Sequence, residues 1–347
     1  MSPFVHDPAL RSVAKRPLRV VAIGGGTGLS TLLTGLKRYV VPPGISRIAQ
    51  QAYAIGDLAA LVTVTDDGGS SGRLRKEFGI LPPGDIRNCI VALSEDEALL
   101  ARLLQFRFSS GTALEGHSFG NLFLTALTSI LGDFSAAVRE SSQILATRGH
   151  IFPSTMSNVH LDAWMDDGSR VRGETKITAS HRRIQHLRLV PYNARPLPQT
   201  LEAIAEADLI TIGPGSLFTS LIPNILVNGI PSAIAESRAK KVFICNLMMQ
   251  ANESLGLTAS QHLLAIRQHA GRKIFDFALV NEAPLSAGLL AKYRAESGAE
   301  QVECDADVVE SLGVRCIRGN FLKETDSARH ATDVVAERLL QIAYDEL

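Results

Sequence analysis

Apolar residues follow two spacings along this chain, and their order predicts the architecture. Residues 19–23 form a short, continuous apolar run that stops at glycines, as a strand buried on both faces does. Directly after it, Leu29, Leu32, Leu33 and Leu36 fall at i, i+3, i+4 and i+7 and so line one face of a helix. Residues 58–64 repeat the strand signal, and helical periodicity follows over residues 86–93, 95–106, 121–131 and 134–146. From about residue 151 to 195 that periodicity is absent. Residues 159–165 and 169–178 there flank Asp166-Asp167-Gly168, a hairpin signal, and predict a small β-rich insertion. Alternation then returns, with strands expected at 209–212, 242–246, 275–281, 301–304 and 314–318 and helices at 258–270, 287–296, 306–312 and 332–344. Such alternation predicts an α/β fold, a Rossmann-like, doubly wound, mostly parallel sheet. The expected organisation is one domain over residues 18–347, carrying the insertion and preceded by a flexible N-terminal arm at 1–17.

Composition narrows the function classes. With 347 residues, 46% of them hydrophobic, the chain buries a large core. Its 35 basic residues balance 35 acidic ones, which argues against a nucleic-acid partner. No apolar run approaches the roughly 18 residues of a membrane span, and the first 17 residues lack the apolar stretch of a secretory signal. Cys89, Cys245, Cys304 and Cys316 show neither CxxC nor zinc spacing, so they read as reduced thiols and favour a cytoplasmic setting.

The candidate chemistry lies where strands end in glycines. Gly24-Gly25-Gly26-Thr27-Gly28 joins a strand to a helix, where backbone N–H groups and the helix dipole suit a phosphate. It is not a P-loop, because no lysine follows Gly28. It is not a dinucleotide fingerprint either, because Leu29 stands where the third glycine belongs. Gly213-Pro214-Gly215-Ser216 repeats the design after a second strand, and two such loops can grip two sides of a diphosphate. Asp66 and Asp67 end a very apolar strand. They can hold a divalent cation such as Mg²⁺, accept ribose hydroxyls, act as a general base, or simply turn the chain. Asp85 reads as a helix cap, with Arg87 and Asn88 in the first turn. His117 and Asn121 flank another polar turn that feeds an apolar helix. Arg329 precedes the final helix, where a cation opposes the macrodipole unless an anion lies nearby.

Six of these segments together resemble one family, the YvcK-type gluconeogenesis factors, relatives of the 2-phospho-L-lactate transferases. They are AIGGGTGLSTLLTGLK, VTVTDDGGSSGRLR, LPPGDIRNCIVAL, GHSFGNLFLTALT, ADLITIGPGSLFTSLIPNILV and, more loosely, CNLMMQANESLGLTASQHL. The resemblance runs from about residue 19 to 269 and departs at 249–254, where the family reads closer to Thr-Gln-Pro-Gly-Glu-Thr. It implies a nucleotide pocket at the carboxyl edge of the sheet, with Asp66, Asp67, Asn121, Gly213 and Ser216 among its lining. It also implies a UDP-sugar ligand, notably UDP-N-acetylglucosamine, and a role in cell shape and wall synthesis during gluconeogenic growth. A sensor without turnover is the first expectation. The alternative is a Mg²⁺-assisted transferase in which Asp66 or Asp67 deprotonates an acceptor hydroxyl. Aromatics make up only 5% of the chain and avoid the glycine loops, which favours sensing over stacking of a flat acceptor. The sequence leaves the protein partner and oligomeric state open, and a homo-oligomer is compatible with it.

Overall fold

The structure, a computed structural model, describes residues 16–41, 52–95, 98–180, 182–251 and 253–347. Residues 1–15 of the expected N-terminal arm lie outside the described residues. Seven strands form one parallel sheet: β1 (Leu18–Gly24), β2 (Ile55–Val62), β3 (His150–Pro153), β7 (Leu209–Ile212), β8 (Lys240–Ile244), β9 (Phe277–Asn281) and β10 (Arg315–Gly319). Their order is β10-β9-β8-β7-β1-β2-β3, with helices on both faces. Three antiparallel strands, β4 (His160–Met165), β5 (Arg170–Arg172) and β6 (Ile184–Val190), form a separate sheet in the order β5-β4-β6. A two-stranded hairpin, β11 (Leu322–Glu324) and β12 (Ala328–His330), completes the set. The α/β architecture expected from the sequence is the one observed, with the small antiparallel sheet beside it.

The first strand and helix follow the reading closely. Val20 to Ile23 are all buried, and so are Leu29, Leu32, Leu33 and Leu36 on the Gly26–Leu36 helix. Other segments differ. Residues 301–304 do not form a strand; Gln301 makes one isolated bridge to Met248, beyond the end of β8, and Val302 N donates to the Leu247 carbonyl there at 3.0 Å. The hairpin's second arm stops at Arg172, not at 178. Gly173 there takes φ +96°, and residues Glu174–Ala179 become a helix whose Thr175 N–H and hydroxyl both donate to the Asp67 carboxylate, at 2.9 and 2.7 Å. Beyond the second glycine loop the helix opens as one π-turn, Leu217–Leu221. The Ile222–Ile225 helix follows, with Pro223 in its first turn, where its missing N–H costs nothing. Asp85 is not a cap: the Gly84–Leu93 helix starts ahead of it, and Asp85 lies in its first turn.

Candidate functional site

From β1 the chain moves to β2 and β3 on one side, then crosses back to β7 and continues outward on the other. The strand order therefore reverses between β1 and β7, and a crevice opens outside their carboxyl ends. Both glycine loops meet there. Gly25, Gly26, Thr27 and Gly28 from the first and Gly215 and Ser216 from the second wall a cavity of about 340 Å³, which Arg329 joins from β12. Gly28 is required by contact, since a Cβ at that position would lie 2.2 Å from the Pro214 carbonyl oxygen. Gly213 is required by conformation, at φ +92°. It turns the chain out of β7 and does not itself line the cavity.

The loops are held by hydrogen bonds that leave other donors available. The Asp85 carboxyl accepts from the Gly26 N–H, and Gly215 N donates to Asn246 Oδ1 at 3.2 Å. Thr27 and Gly28, in the first helical turn, have no intrahelical acceptor for their N–H groups, which suits an anion. Ser216 Oγ accepts from Gln250 Nε2 at 2.9 Å. At the opposite rim Arg329 is exposed; its Nε donates to Ser327 Oγ at 3.1 Å, and it has no carboxylate partner among the described residues. Beside it, His330 Nε2 donates to the Cys245 carbonyl at 3.1 Å, and burial holds the ring's pKa down to about 4. His330 is thus neutral near pH 7, with Nδ1 an acceptor.

The remaining candidates form a second group next to the first loop. Asp66 Oδ1 accepts from Gly68 N at 2.9 Å, while Asp67 is committed to Thr175. Arg87 points toward the Phe119–Leu131 helix, donating to Ser118 Oγ at 2.6 Å and to Asn88 Oδ1 at 2.7 Å, so neither Arg87 nor Asn88 lines the cleft. His117 is buried and shares a 3.0 Å hydrogen bond with Ser70; burial, with Arg73 and Arg107 nearby, lowers its pKa. Asn121 is 2% exposed and leaves its Oδ1 without a partner. Asp85, expected from the sequence to be a helix cap, and Glu174, which the sequence did not mark, complete the group. Burial pushes Asp85 up to about 6, and Asp66 adds to the rise. Burial also raises Glu174, helped by Asp66, Asp85, Glu253 and Asp67. Among the described residues no three His, Cys, Asp or Glu side chains converge as metal ligands. Asp66 and Asp67 therefore offer at most two carboxylates to a cation, and Mg²⁺ there would complete its octahedron with waters or ligand oxygens.

The sequence profile described as 2-phospho-L-lactate transferase CofD matches residues 20–322. The chain belongs to the CofD family. It is 47% identical to the gluconeogenesis factor of Halalkalibacterium halodurans over 93% of this chain and 95% of that protein. Against the gluconeogenesis factor of Bacillus subtilis it is 45% identical over 93% of this chain and 98% of that one. A crystal structure of a UPF0052 family member from Bacillus halodurans superposes with a TM-score of 0.87 at 46% identity, covering 94% of this chain and all of that one (100%).

In this CofD-family chain the structure therefore divides the candidates. Gly25, Gly26, Thr27, Gly28, Gly215, Ser216 and Arg329 share one cleft; Asp66, Asp67, Arg87, Asn88, His117 and Asn121 lie beside it. Asp85 joins the two groups, reaching Gly26 on one side and facing Asp66 on the other. Asn246, Gln250, Tyr293 and His330 are additional cleft residues. Of these, Asn246 and Gln250 lie in the sixth segment of the resemblance and His330 stands next to Arg329, whereas Tyr293 carried no signal in the sequence. No helix among the described residues is long and apolar enough to cross a membrane.

Proposed function

We propose that this protein is a cytoplasmic nucleotide-sugar-binding regulator whose cleft takes the diphosphate of a UDP-sugar, UDP-N-acetylglucosamine in particular, and that it governs cell shape and wall synthesis under gluconeogenic growth. The observation that carries the reading is the convergence of two glycine loops on one cavity at the point where strand order reverses, with an arginine lacking a carboxylate partner at its rim. Bidentate guanidinium contact and helix-end N–H groups are general means of holding phosphates. A hydrogen bond to a charged group adds about 1.5–3 kcal/mol. A few such bonds reach the roughly 8 kcal/mol of a micromolar complex without any catalysis. The gluconeogenesis-factor names of its relatives support the physiological setting.

The raised carboxyl groups of Asp85 and Glu174 favour a second reading, because displaced acid pKa values gather at reactive sites. In that reading an acceptor hydroxyl gives its proton to Asp66 or Asp67. Its oxygen then bonds to a phosphorus of a nucleoside diphosphate compound as the nucleoside monophosphate leaves. One experiment separates the two. Purified protein is titrated with UDP-N-acetylglucosamine, with and without Mg²⁺, and the intact nucleotide is quantified afterwards. Binding heat with full recovery of nucleotide supports the regulator, loss of nucleotide supports the transferase, and absence of binding overturns the ligand assignment.

A further inference from the structure

Glu253 is 7% exposed, and no cation forms an ion pair with it among the described residues. A buried carboxylate without a counter-ion is costly unless several donors satisfy it. Three do: Phe218 N at 2.9 Å, Thr219 N at 3.3 Å and the Thr219 hydroxyl. All three belong to the π-turn that begins immediately after Ser216. Gln250, from the same turn as Glu253, grips Ser216 itself through Nε2. The turn is braced internally, because Gln250 N donates to Ser254 Oγ at 3.1 Å, while Glu253 N and Ser254 N donate to the Gln250 carbonyl at 3.0 and 2.9 Å. Gln250 and Glu253 therefore hold residues 216, 218 and 219 by their backbone and hydroxyl groups.

We propose that Glu253 is a positioning residue for the diphosphate cleft: it fixes the start of the π-turn, and through it the Gly213–Ser216 loop, in the geometry that presents donors to the ligand. The proposal rests on reading the cleft as a nucleotide site. Glu253 does not line the cavity, so its effect passes through the backbone it holds. A carboxylate suits this task because its charge strengthens all three bonds; a glutamine of the same shape keeps one oxygen for the two amides and turns its NH2 to the Thr219 hydroxyl, but loses that charge. Because Pro214 touches Gly28, a shift of the second loop also disturbs the first.

The test compares amide hydrogen exchange of the ligand-free full chain with calorimetric titration of UDP-N-acetylglucosamine. In Glu253→Gln the amides of Phe218 and Thr219 are expected to exchange about tenfold faster and Kd to rise about tenfold, the size of one lost hydrogen bond to a charged group. Far-UV circular dichroism stays as in the parent. Thr219→Val, which removes one donor only, shifts both readouts in the same direction by less and serves if Glu253→Gln does not fold. Thr219→Ser keeps the hydroxyl and restores parent values. Unchanged exchange at 218 and 219, or parent affinity beside faster exchange, overturns the positioning role. If the parent takes up no UDP-N-acetylglucosamine, the nucleotide reading falls. The exchange arm, with inorganic pyrophosphate as the titrated probe, then decides the positioning role separately.

Discussion

Asp85 offers the most direct test of how the first glycine loop is built. Its carboxyl is pressed against that loop: a Cβ on Gly25 would lie 2.7 Å from Asp85 Oδ2. Burial raises its pKa, and Asp66 raises it further. The Gly26 N–H and Arg87 pull the other way, and the balance stands at about 6 against an ordinary 3.8. Since the folded value exceeds the unfolded one, the stability linked to this proton is fully present below about 3.8 and is lost as pH rises through about 6. At 1.36 kcal/mol per pH unit, that interval corresponds to roughly 3 kcal/mol. Asp85→Asn removes the charge and keeps an oxygen to accept from Gly26. It forgoes the charge-assisted part of that bond, about 1–2 kcal/mol. The variant is therefore expected to be about 1–2 kcal/mol more stable than the parent at pH 7.5. That gain raises Tm by roughly 2–4 °C. The advantage should shrink as pH falls from about 6 toward 3.8. Thermal melts of both proteins between pH 4.5 and 8 measure it. A variant less stable than the parent by the same amount at every pH would refute the argument, because the carboxyl would then be acting as an uncharged structural acceptor.

Three further substitutions probe the cleft. Arg329→Ala should weaken UDP-N-acetylglucosamine binding about tenfold, and Arg329→Lys by less, through lost bidentate contact. The melting temperature without ligand should not move, since the side chain is exposed and among the described residues bonds only Ser327; parent affinity in calorimetry would remove Arg329 from the site. Asp67→Asn retains an oxygen for Thr175 but loses the charge a hard cation needs, so its cost in affinity should be larger with Mg²⁺ than without. Equal losses would make the carboxylate a structural contact. Gly28→Ala places a methyl 2.2 Å from the Pro214 carbonyl oxygen and should cost about 3 kcal/mol in urea unfolding along with ligand binding. An unaltered urea midpoint would show that the two loops do not touch.

The parts of the site legible in the sequence are those made by local rules. A continuous apolar strand ending in glycines, followed by leucines at helical spacing, marks β1 and its helix; the second loop is marked the same way. Asp85, Glu174 and Glu253 carry no such mark. Each matters through what folds against it: the Gly26 amide, a ring of other acids, the opening of the π-turn. The hairpin that supplies Arg329 and His330 has strands of only three residues, too short for a period-two pattern. The stretch at 301–304 shows the converse. Val302 is buried, so the apolar signal is real, but the segment hydrogen-bonds to residues 247–249 beyond the end of β8 instead of joining the sheet. Spacing encodes which face of a segment is apolar, not which neighbour is available.

The contact between Gly28 and Pro214 has a kinetic consequence. It ties the two glycine loops together backbone to backbone, and a similar contact anchors the far part of the same helix, where a Cβ on Gly35 would meet the Thr332 carbonyl oxygen at 2.6 Å. One jaw of the cleft is thus immobilised at both ends. The other jaw is the β11–β12 hairpin, whose strands pair only with each other. It is fastened by single hydrogen bonds: Tyr293 accepts from Ala328 N, His330 donates to the Cys245 carbonyl, Glu324 accepts from Ser286 N and Lys292 donates to the Asp326 carbonyl. On the proposed reading of the cleft, ligand exchange is expected to run through the hairpin side. Changes in the fixed jaw should alter which anion fits, whereas changes at Tyr293 or His330 should alter how long a bound molecule stays, with less effect on which one is chosen.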